Sequence, residues 1–456
     1  MRCSAGLSTC LWAGLNSRDH IRLALSQKLS QHSRADVTRP AVTVPSLVLF
    51  VLGAALPAWA QVSNGQSAPT EIELELSNSA IRRYAGLFAA AGETLNWGAD
   101  LGLDALLGTS SERRPRDVLA RLGRLWFVNL PIASLTHAAS HDYGHFARGD
   151  EAGFHTRAIR VTHWPWPIPL TASVEGSADD AGPRPAPPVQ LPVLGGGEQA
   201  VYTLKQTLTD KIYSANTANY FDWLALGYAA LDFPLYAWSD LSPSSLTSLD
   251  AFFGTQQGDF RQYVLALAEI ESDELKIRTV RDYANGIRRD AWLNLADYAL
   301  WAGFARVGGY VVTGSRSATN PAIRIGALRI VPGAHATLSS LGPEKGVDVR
   351  LLTSAYLSHM DVRAITLPSG RHLWGSGLTM RSRETRRFLP EARMDIWQRP
   401  AEGPGFRFEA GARHDIPAFG GRVDASFHVG YKSAGYLADA PERAGILLSL
   451  SGTLRY

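Results

Sequence analysis

Three histidines recur at four-residue intervals in the segment 130–149, LPIASLTHAASHDYGHFARG: His137, His141 and His145. A spacing of four residues is slightly more than one helical turn, so the three side chains would stack along one helix face. A proline in the expected first turn and Gly149 at the expected end both favour a helix here. Two imidazoles at positions i and i+4 can bind one zinc ion and leave room for water and a third ligand. The segment therefore predicts a metal-binding helix.

Asp142 lies between the second and third histidines and completes the pattern His-Asp-x-x-His over 141–145. This pattern resembles the HExxH helix of the zincin metalloproteases, with aspartate in place of the usual glutamate. The resemblance implies that His141 and His145 bind zinc and that Asp142 takes a proton from a metal-bound water. Aspartate is one methylene shorter than glutamate, which puts the reach of its carboxylate in doubt. The alternative is that the histidines lie in a satisfied core or on a solvated helix face.

A glutamate that follows three glycines is the candidate third ligand. The run is Gly195-Gly196-Gly197-Glu198, and the sequence predicts that a helix begins near Glu198. In gluzincins, a zincin subgroup, a glutamate on a second helix after HExxH binds the zinc, so the resemblance implies this role for Glu198. The alternative is that its carboxylate only stabilises the positive N-terminal end of the helix.

Further side chains are candidates for supporting roles. His137 lies one turn before the His-Asp-x-x-His pattern and could be a ligand, an outer contact or a substrate contact. Asp222 and Asp232 interrupt an apolar stretch and could orient a metal-bound histidine from outside. The proline-rich segment 158–175 predicts extended edge strands, which in zincins run beside the metal helix and can hold a peptide by backbone pairing.

The N-terminal region carries an export signal. Residues 46–60, SLVLFVLGAALPAWA, form a short apolar run that ends in a small-x-small cleavage site at Ala60. We therefore expect residues 1–60 to be an export signal region and residues 61–77 to be a linker at the start of the mature chain. An N-terminal membrane anchor is the alternative.

Composition narrows the chemistry further. Cys3 and Cys10 are the only cysteines and both precede the expected cleavage point, so the mature chain has neither disulfides nor cysteine metal ligands. The net charge is +3 and no basic cluster stands out, which argues against a nucleic-acid partner. The sequence contains no Gly-x-Ser-x-Gly elbow and no phosphate-binding glycine loop.

The hydrophobic period changes to two residues after about residue 306. Apolar and polar residues alternate in segments near ten residues long, for example over 406–413, 423–432 and 446–456, and turn clusters separate these segments. The last strand ends on an aromatic residue, Tyr456. This resembles the C-terminal strand of bacterial outer-membrane β-barrels and implies a closed barrel of about eight strands in contact with outer-membrane lipid. A soluble β-sandwich would also alternate and is the alternative.

Together these features predict the α+β class: a helical zincin-like metal-binding domain over 78–305, followed by an antiparallel β-barrel over 306–456. The predicted function is an outer-membrane-associated, zinc-dependent hydrolase of a Gram-negative cell. We expect a metallopeptidase with a peptide or protein substrate and a metal-activated water. The alternative is a non-catalytic barrel for transport or scaffolding, in which the histidines are structural or simply bind metal.

Overall fold

The protein belongs to the α+β class, with helices in the first part of the chain and a large antiparallel sheet in the second. Residues 1–60, where we predicted an export signal, and Tyr456 lie outside the residues that the structure describes. The computed structural model describes residues 71–107, 114–153, 156–163, 173–178, 186–253, 258–272, 275–383, 389–400, 403–418 and 421–455.

The described residues form nine α-helices. The histidine segment is helical as predicted, with proline in its first turn. A π-helical turn, Leu125–Asn129, joins α2 to α3, and a 3-10 turn, Ala291–Ala296, joins α8 to α9. The helices are α1 (Ala80–Leu107), α2 (Pro115–Arg124), α3 (Leu130–Glu151), α4 (Pro187–Ser214), α5 (Tyr220–Asp240), α6 (Leu249–Phe253), α7 (Asp259–Glu271), α8 (Ile277–Asp290) and α9 (Tyr298–Thr313).

The strands form one ten-stranded sheet and two small hairpins. The hairpins are β2 (Thr156–His163) with β3 (Ser173–Ala178), and β4 (Thr217–Asn219) with β5 (Ser317–Thr319). The large sheet contains β1 (Glu71–Ser77), β6 (Ile323–Ile325), β7 (Leu328–Leu338), β8 (Pro343–Leu352), β9 (Tyr356–Thr366), β10 (His372–Ser382), β11 (Leu389–Trp397), β12 (Gly405–Ala418), β13 (Gly421–Lys432) and β14 (Gly445–Arg455). Their spatial order is β1-β14-β13-β12-β11-β10-β9-β8-β7-β6, with antiparallel neighbours throughout.

The sheet differs from the closed eight-stranded barrel expected over 306–456. Its eight long strands, β7 to β14, do come from this region. Residues 71–77, however, which we expected in the linker, form β1 and pair with β14. Since β1 already satisfies the free backbone groups of β14, the last strand cannot close onto β7. Within the described residues no ladder joins β1 to β6, so these two strands are the edges of an open sheet.

The helices pack on one face of this sheet. α4 contacts β7 and β9, and the Asn294 side chain exchanges two hydrogen bonds with the backbone of Ala336 on β7. The main apolar core lies between α3, α4, α5 and α9, where the rings of Tyr220 and Tyr310 stack with centroids 3.8 Å apart. A second core around Phe260 joins α7 to the end of α5 and to α8.

The two faces of the sheet have opposite character. On the helix-facing side, the buried Arg407 lies 2.6 Å from Asp395 and 3.0 Å from Asp439, and Arg82 of α1 lies 3.0 Å from Glu409. The outward side presents exposed apolar side chains over neighbouring strands. These are Val347, Met360, Val362, Trp374, Leu378, Met394, Ile396, Phe406, Phe408, Phe427, Val429, Tyr431, Ile446, Leu448 and Leu450. The alternation therefore places charges inside and hydrocarbon outside.

Candidate metal centre

Helix α3, which contains the three histidines, lies against α4, and glycines allow the two backbones to approach. A Cβ on Gly144 would collide with the carbonyl oxygen of Gly196, and a Cβ on Gly196 would lie 2.5 Å from the carbonyl oxygen of Gly144. Glycine in a helix interior costs about 1 kcal/mol relative to alanine, and here this close crossing requires it. The glycine run therefore serves helix packing.

The position of Glu198 corrects one prediction. α4 begins at Pro187 with prolines in its first turn, so Glu198 lies in the middle of the helix. A helix start near Glu198 was wrong, and so was the alternative that its carboxylate stabilises a helix N-terminus. The prolines at 187 and 188 carried the signal for the true start, because proline fits the first helical turn.

His141 and His145 direct their Nε2 atoms toward Asp259, the first residue of α7. The two Nε2 atoms are 3.1 Å apart. Oδ2 of Asp259 lies 3.2 Å from Nε2 of His145 and 3.4 Å from Nε2 of His141. Metal bonds of about 2.0–2.1 Å in a tetrahedron place neighbouring ligand atoms about 3.3 Å apart. The three atoms therefore match one triangular face of a tetrahedral metal site.

The outer nitrogen of each ring faces an acceptor. Nδ1 of His145 lies 2.6 Å from the carbonyl oxygen of Val193, so it carries the proton and donates it there. Nδ1 of His141 lies 3.5 Å from Oδ2 of Asp232. In a neutral imidazole, a proton on Nδ1 leaves a lone pair on Nε2. With that proton arrangement, two lone pairs and a carboxylate oxygen converge on one point, and a cation there would bind all three. Without a cation, burial lowers the pKa of His141, but hydrogen bonds to Asp232 and Asp259 raise it well above its usual range, so Nε2 of His141 can donate to Asp259.

Gly197 provides the space that such a cation needs. A Cβ on Gly197 would lie 2.5 Å from Nε2 of His145 and 2.6 Å from Nε2 of His141. The absent side chain therefore leaves room directly beside both donor atoms. No motif or spacing in the sequence indicates this second role for the glycine run.

Glu198 and Asp232 lie on the other side of the His141 ring from Asp259. Oε1 of Glu198 is 3.9 Å from Nδ1 of His141, and these two residues with Asp232 form a second group of potential ligands. Asp232 also reaches His137, whose Nε2 lies 3.0 Å from its Oδ1. Asp232 is therefore placed to orient His141 from outside, as carboxylates do for metal-bound histidines.

The protonation states follow from burial and charge. Burial and the nearby charge of Asp232 raise the pKa of Glu198 well above its usual range. Burial alone would raise the pKa of Asp259, but when the two histidines carry a proton on Nε2, the charge of His145 and hydrogen bonds from both rings lower it below the ordinary value. Burial and the charge of Asp259 raise the pKa of Tyr236, whose hydroxyl lies 3.4 Å from Oδ2 of Asp259. Tyr236 is therefore a hydrogen-bond donor at the site.

The remaining predicted residues have the following places. Asp142 is half-buried next to His141 on α3, and neither group of potential metal ligands in the described residues includes it. Its role as a base stays a prediction. Asp222 lies 3.0 Å from Lys211 and belongs to a separate buried ion pair. The segment 158–175 forms parts of β2 and β3, and β3 packs against α3; residues 164–172 lie outside the described part.

Two site residues have no counterpart in the predictions, Asp259 and Tyr236. Asp259 follows His141 by 118 positions and begins a helix after a loop, so no local spacing links the two residues. An aspartate in a first helical turn is common, because it interacts favourably with the helix dipole.

No protein-family model, curated protein or solved structure matches this chain. The resemblances to gluzincins and to outer-membrane barrels therefore stay predictions. The geometry of the side chains carries the functional interpretation.

Proposed function

We propose that the protein is an outer-membrane-associated, zinc-dependent hydrolase that cleaves amide bonds in a peptide or protein substrate. The observation that carries the proposal is the convergence of two imidazole nitrogens and one carboxylate oxygen, 3.1–3.4 Å apart. Nδ1 of His145 donates to the carbonyl oxygen of Val193, and Nδ1 of His141 lies 3.5 Å from Asp232. Three protein ligands leave a fourth position for water or substrate, which is the arrangement of catalytic zinc sites.

The donor chemistry supports zinc. Imidazole nitrogens with one carboxylate suit zinc, although other first-row divalent ions accept the same ligands. When bound, such an ion lowers the pKa of its water and polarises a substrate carbonyl. His141, His145 and Asp259 would hold the ion, and Asp232 would keep His141 in the required orientation.

The chain supplies two groups for proton and charge transfer. Tyr236 keeps its proton beside Asp259 and could donate a hydrogen bond to the oxyanion that develops on an attacked carbonyl. Asp142 is adjacent to His141 on α3, and we keep it as the proposed base that takes the proton of the attacking water. Glu198, which faces Nδ1 rather than Nε2 of His141, is a buried neighbour of this histidine and not the third ligand in this proposal.

The sheet supports the proposed membrane association. Its eight long strands have 9 to 14 residues, which suits tilted strands crossing a hydrocarbon layer. Apolar side chains such as Phe408 and Leu450, each 50% exposed, cover the outward face. A β-sandwich would bury this face under a second sheet, but the other sheets among the described residues have two strands each.

A second candidate function is a metal-binding scaffold without catalysis. It is favoured by the limited access to the site, since the side chains of His141 and Asp259 are each only 12% exposed. A structural metal site is closed in this way, whereas a catalytic site must admit substrate.

One experiment separates the two candidates. The mature chain is purified in detergent, its zinc content is measured by elemental mass spectrometry, and its hydrolysis of labelled casein is followed. His141→Ala is compared with His372→Ala, a matched change at an exposed histidine on β10. We expect one zinc per chain and zinc-dependent hydrolysis in the wild type and His372→Ala, and neither in His141→Ala. Bound zinc without hydrolysis of any peptide substrate would favour the scaffold, and a wild type without metal would remove both.

A further inference from the structure

Three helices lie between the two edges of the open sheet. β1 packs against α1, and β7, beside the edge strand β6, packs against α9. α2 packs against α9. We call α1, α2, the turn Leu125–Asn129 and α9 the helical wall.

Buried polar contacts hold the helical wall together. The guanidinium of Arg121 on α2 donates to two carbonyl oxygens at the end of α9, at 2.8 and 3.1 Å. Asp104 of α1 lies 2.7 Å from Arg124 of α2 and 2.6 Å from Arg316, which follows α9. The charged groups of these contacts thus join the wall helices to one another.

The outward side of the helical wall is apolar. Leu119 is 67% exposed, Phe127 is 52% exposed and Trp301 is 58% exposed. α9 contains a single charged residue, Arg306. Further exposed apolar side chains of the wall are Leu106, Leu122, Trp126, Phe304 and Val312.

The length and burial of one segment agree with this surface. Pro115–Glu151, which runs from α2 into α3, is the described segment that is long and apolar enough to cross a membrane. Only 33% of its most apolar window is buried inside the structure. A core helix of a soluble protein would be mostly buried.

We propose that the helical wall contacts the acyl chains of the same bilayer as the sheet, so that helices complete the lipid-facing perimeter between β1 and β6. This inference rests on the proposed membrane association. The edge strand β6 lies beside β7 and exposes two further apolar side chains, Ile323 and Ile325. Helices suit this place, since they satisfy their own backbone hydrogen bonds in hydrocarbon whereas a bare sheet edge does not.

The experiment uses single cysteines in a Cys3→Ser, Cys10→Ser background of the full chain, labelled with a small fluorophore. Phe127→Cys and Trp301→Cys probe the helical wall. Met394→Cys, on the outward face of β11, reports on the sheet, and Arg278→Cys, whose native side chain is 92% exposed, is the aqueous control. Each protein is reconstituted in phosphatidylcholine vesicles with or without bromine on the acyl chains.

We expect brominated lipid to quench the labels at 127, 301 and 394 to a similar extent and to leave the label at 278 unchanged. Iodide in the water should quench only the label at 278. Lipid quenching at 394 alone would overturn this proposal and leave the membrane association of the sheet intact. The absence of lipid quenching at 394 would overturn the membrane association itself. Protection of 127 and 301 from both quenchers, with cross-linking of two chains, would assign the wall to a second copy and also overturn the proposal.

Discussion

The sheet interior and the metal centre both bury carboxylates, but they balance the negative charge differently. In the sheet, Asp395 and Asp439 face Arg407, a cation that keeps its charge at any physiological pH. In the metal centre, Asp259 faces the Nε2 atoms of two histidines, which in their neutral form offer lone pairs. A permanent cation suits a fixed structural contact, whereas a set of acceptors suits an exchangeable ion. The first region therefore serves stability, whereas the second has the side chains that the proposed metal site requires.

The largest expected effect tests the structural side of this comparison. Arg407→Met removes one cation from a buried cluster in which Asp395 also contacts Arg363, and Asp439 also contacts Arg82 and Arg393. The negative charge of the cluster is then no longer fully balanced, and we expect the free energy of unfolding to fall by about 3–5 kcal/mol. The same change at the exposed Arg278 should cost about 0–1 kcal/mol. Denaturant titration in detergent measures both values. If Arg407→Met changed the number of bound zinc ions but not the free energy of unfolding, the structural role of Arg407 would be contradicted.

Gly197→Ala tests the metal side without removing any ligand. Its methyl group would lie within 2.6 Å of both Nε2 atoms, so we expect the zinc affinity to fall on the order of 100-fold. Gly227→Ala on α5 is the control, because a Cβ there meets no atom within 4 Å. Competition with a zinc-binding dye measures the affinities. Equal affinities for the two variants would mean that the ion does not lie beside Gly197.

Metal-linked stability sharpens the contrast between the two regions. At a zinc concentration 100 times its dissociation constant, binding to the native state should raise the free energy of unfolding by about 2.7 kcal/mol. Arg407→Met should show the same increment, although its free energy of unfolding without zinc is lower than that of the wild type. Asp259→Asn should show no increment. Denaturant titrations with zinc and with a chelator measure the increment. An equal increment in Asp259→Asn would separate zinc binding from this site.

The smallest expected effect concerns the outer contact to His141. Asp232→Asn keeps the shape of the side chain but weakens its hold on Nδ1 of His141, and we expect about a 10-fold loss of zinc affinity with unchanged stoichiometry. Asp282→Asn, at an exposed aspartate on α8, is the matched control. A complete loss of binding in Asp232→Asn would instead indicate a direct ligand.

The two histidines of the site could be predicted from the sequence, but the carboxylate that faces them could not. The i, i+4 spacing of His141 and His145 is a property of one helix, and α3 has the predicted form. The third potential ligand, Asp259, reaches the histidines because α7 packs against α4 and α5. Asp259 is distant in sequence and unmarked by any motif. Glu198 entered through the gluzincin resemblance, and the structure does bring it to His141, though on the Nδ1 side.

The large sheet also has strands that the sequence predicts and one strand that it does not. Residue alternation over 406–413, 423–432 and 446–456 predicted the strands β12, β13 and β14, because inward and outward side chains repeat every two residues. β1 was missed, although its sequence EIELELS alternates acidic and apolar residues. Pairing between β1 and β14 joins opposite ends of the chain, and no short window of sequence encodes that contact.

Zinc titration of two isosteric variants tests the central claim most directly. Asp259→Asn removes the charge that faces both Nε2 atoms, and Glu198→Gln removes the acid on the other side of the His141 ring. Our account predicts that Glu198→Gln binds one zinc ion per chain like the wild type, and that Asp259→Asn loses this binding. Retained binding in Asp259→Asn together with lost binding in Glu198→Gln would contradict it and would make Glu198 the third ligand.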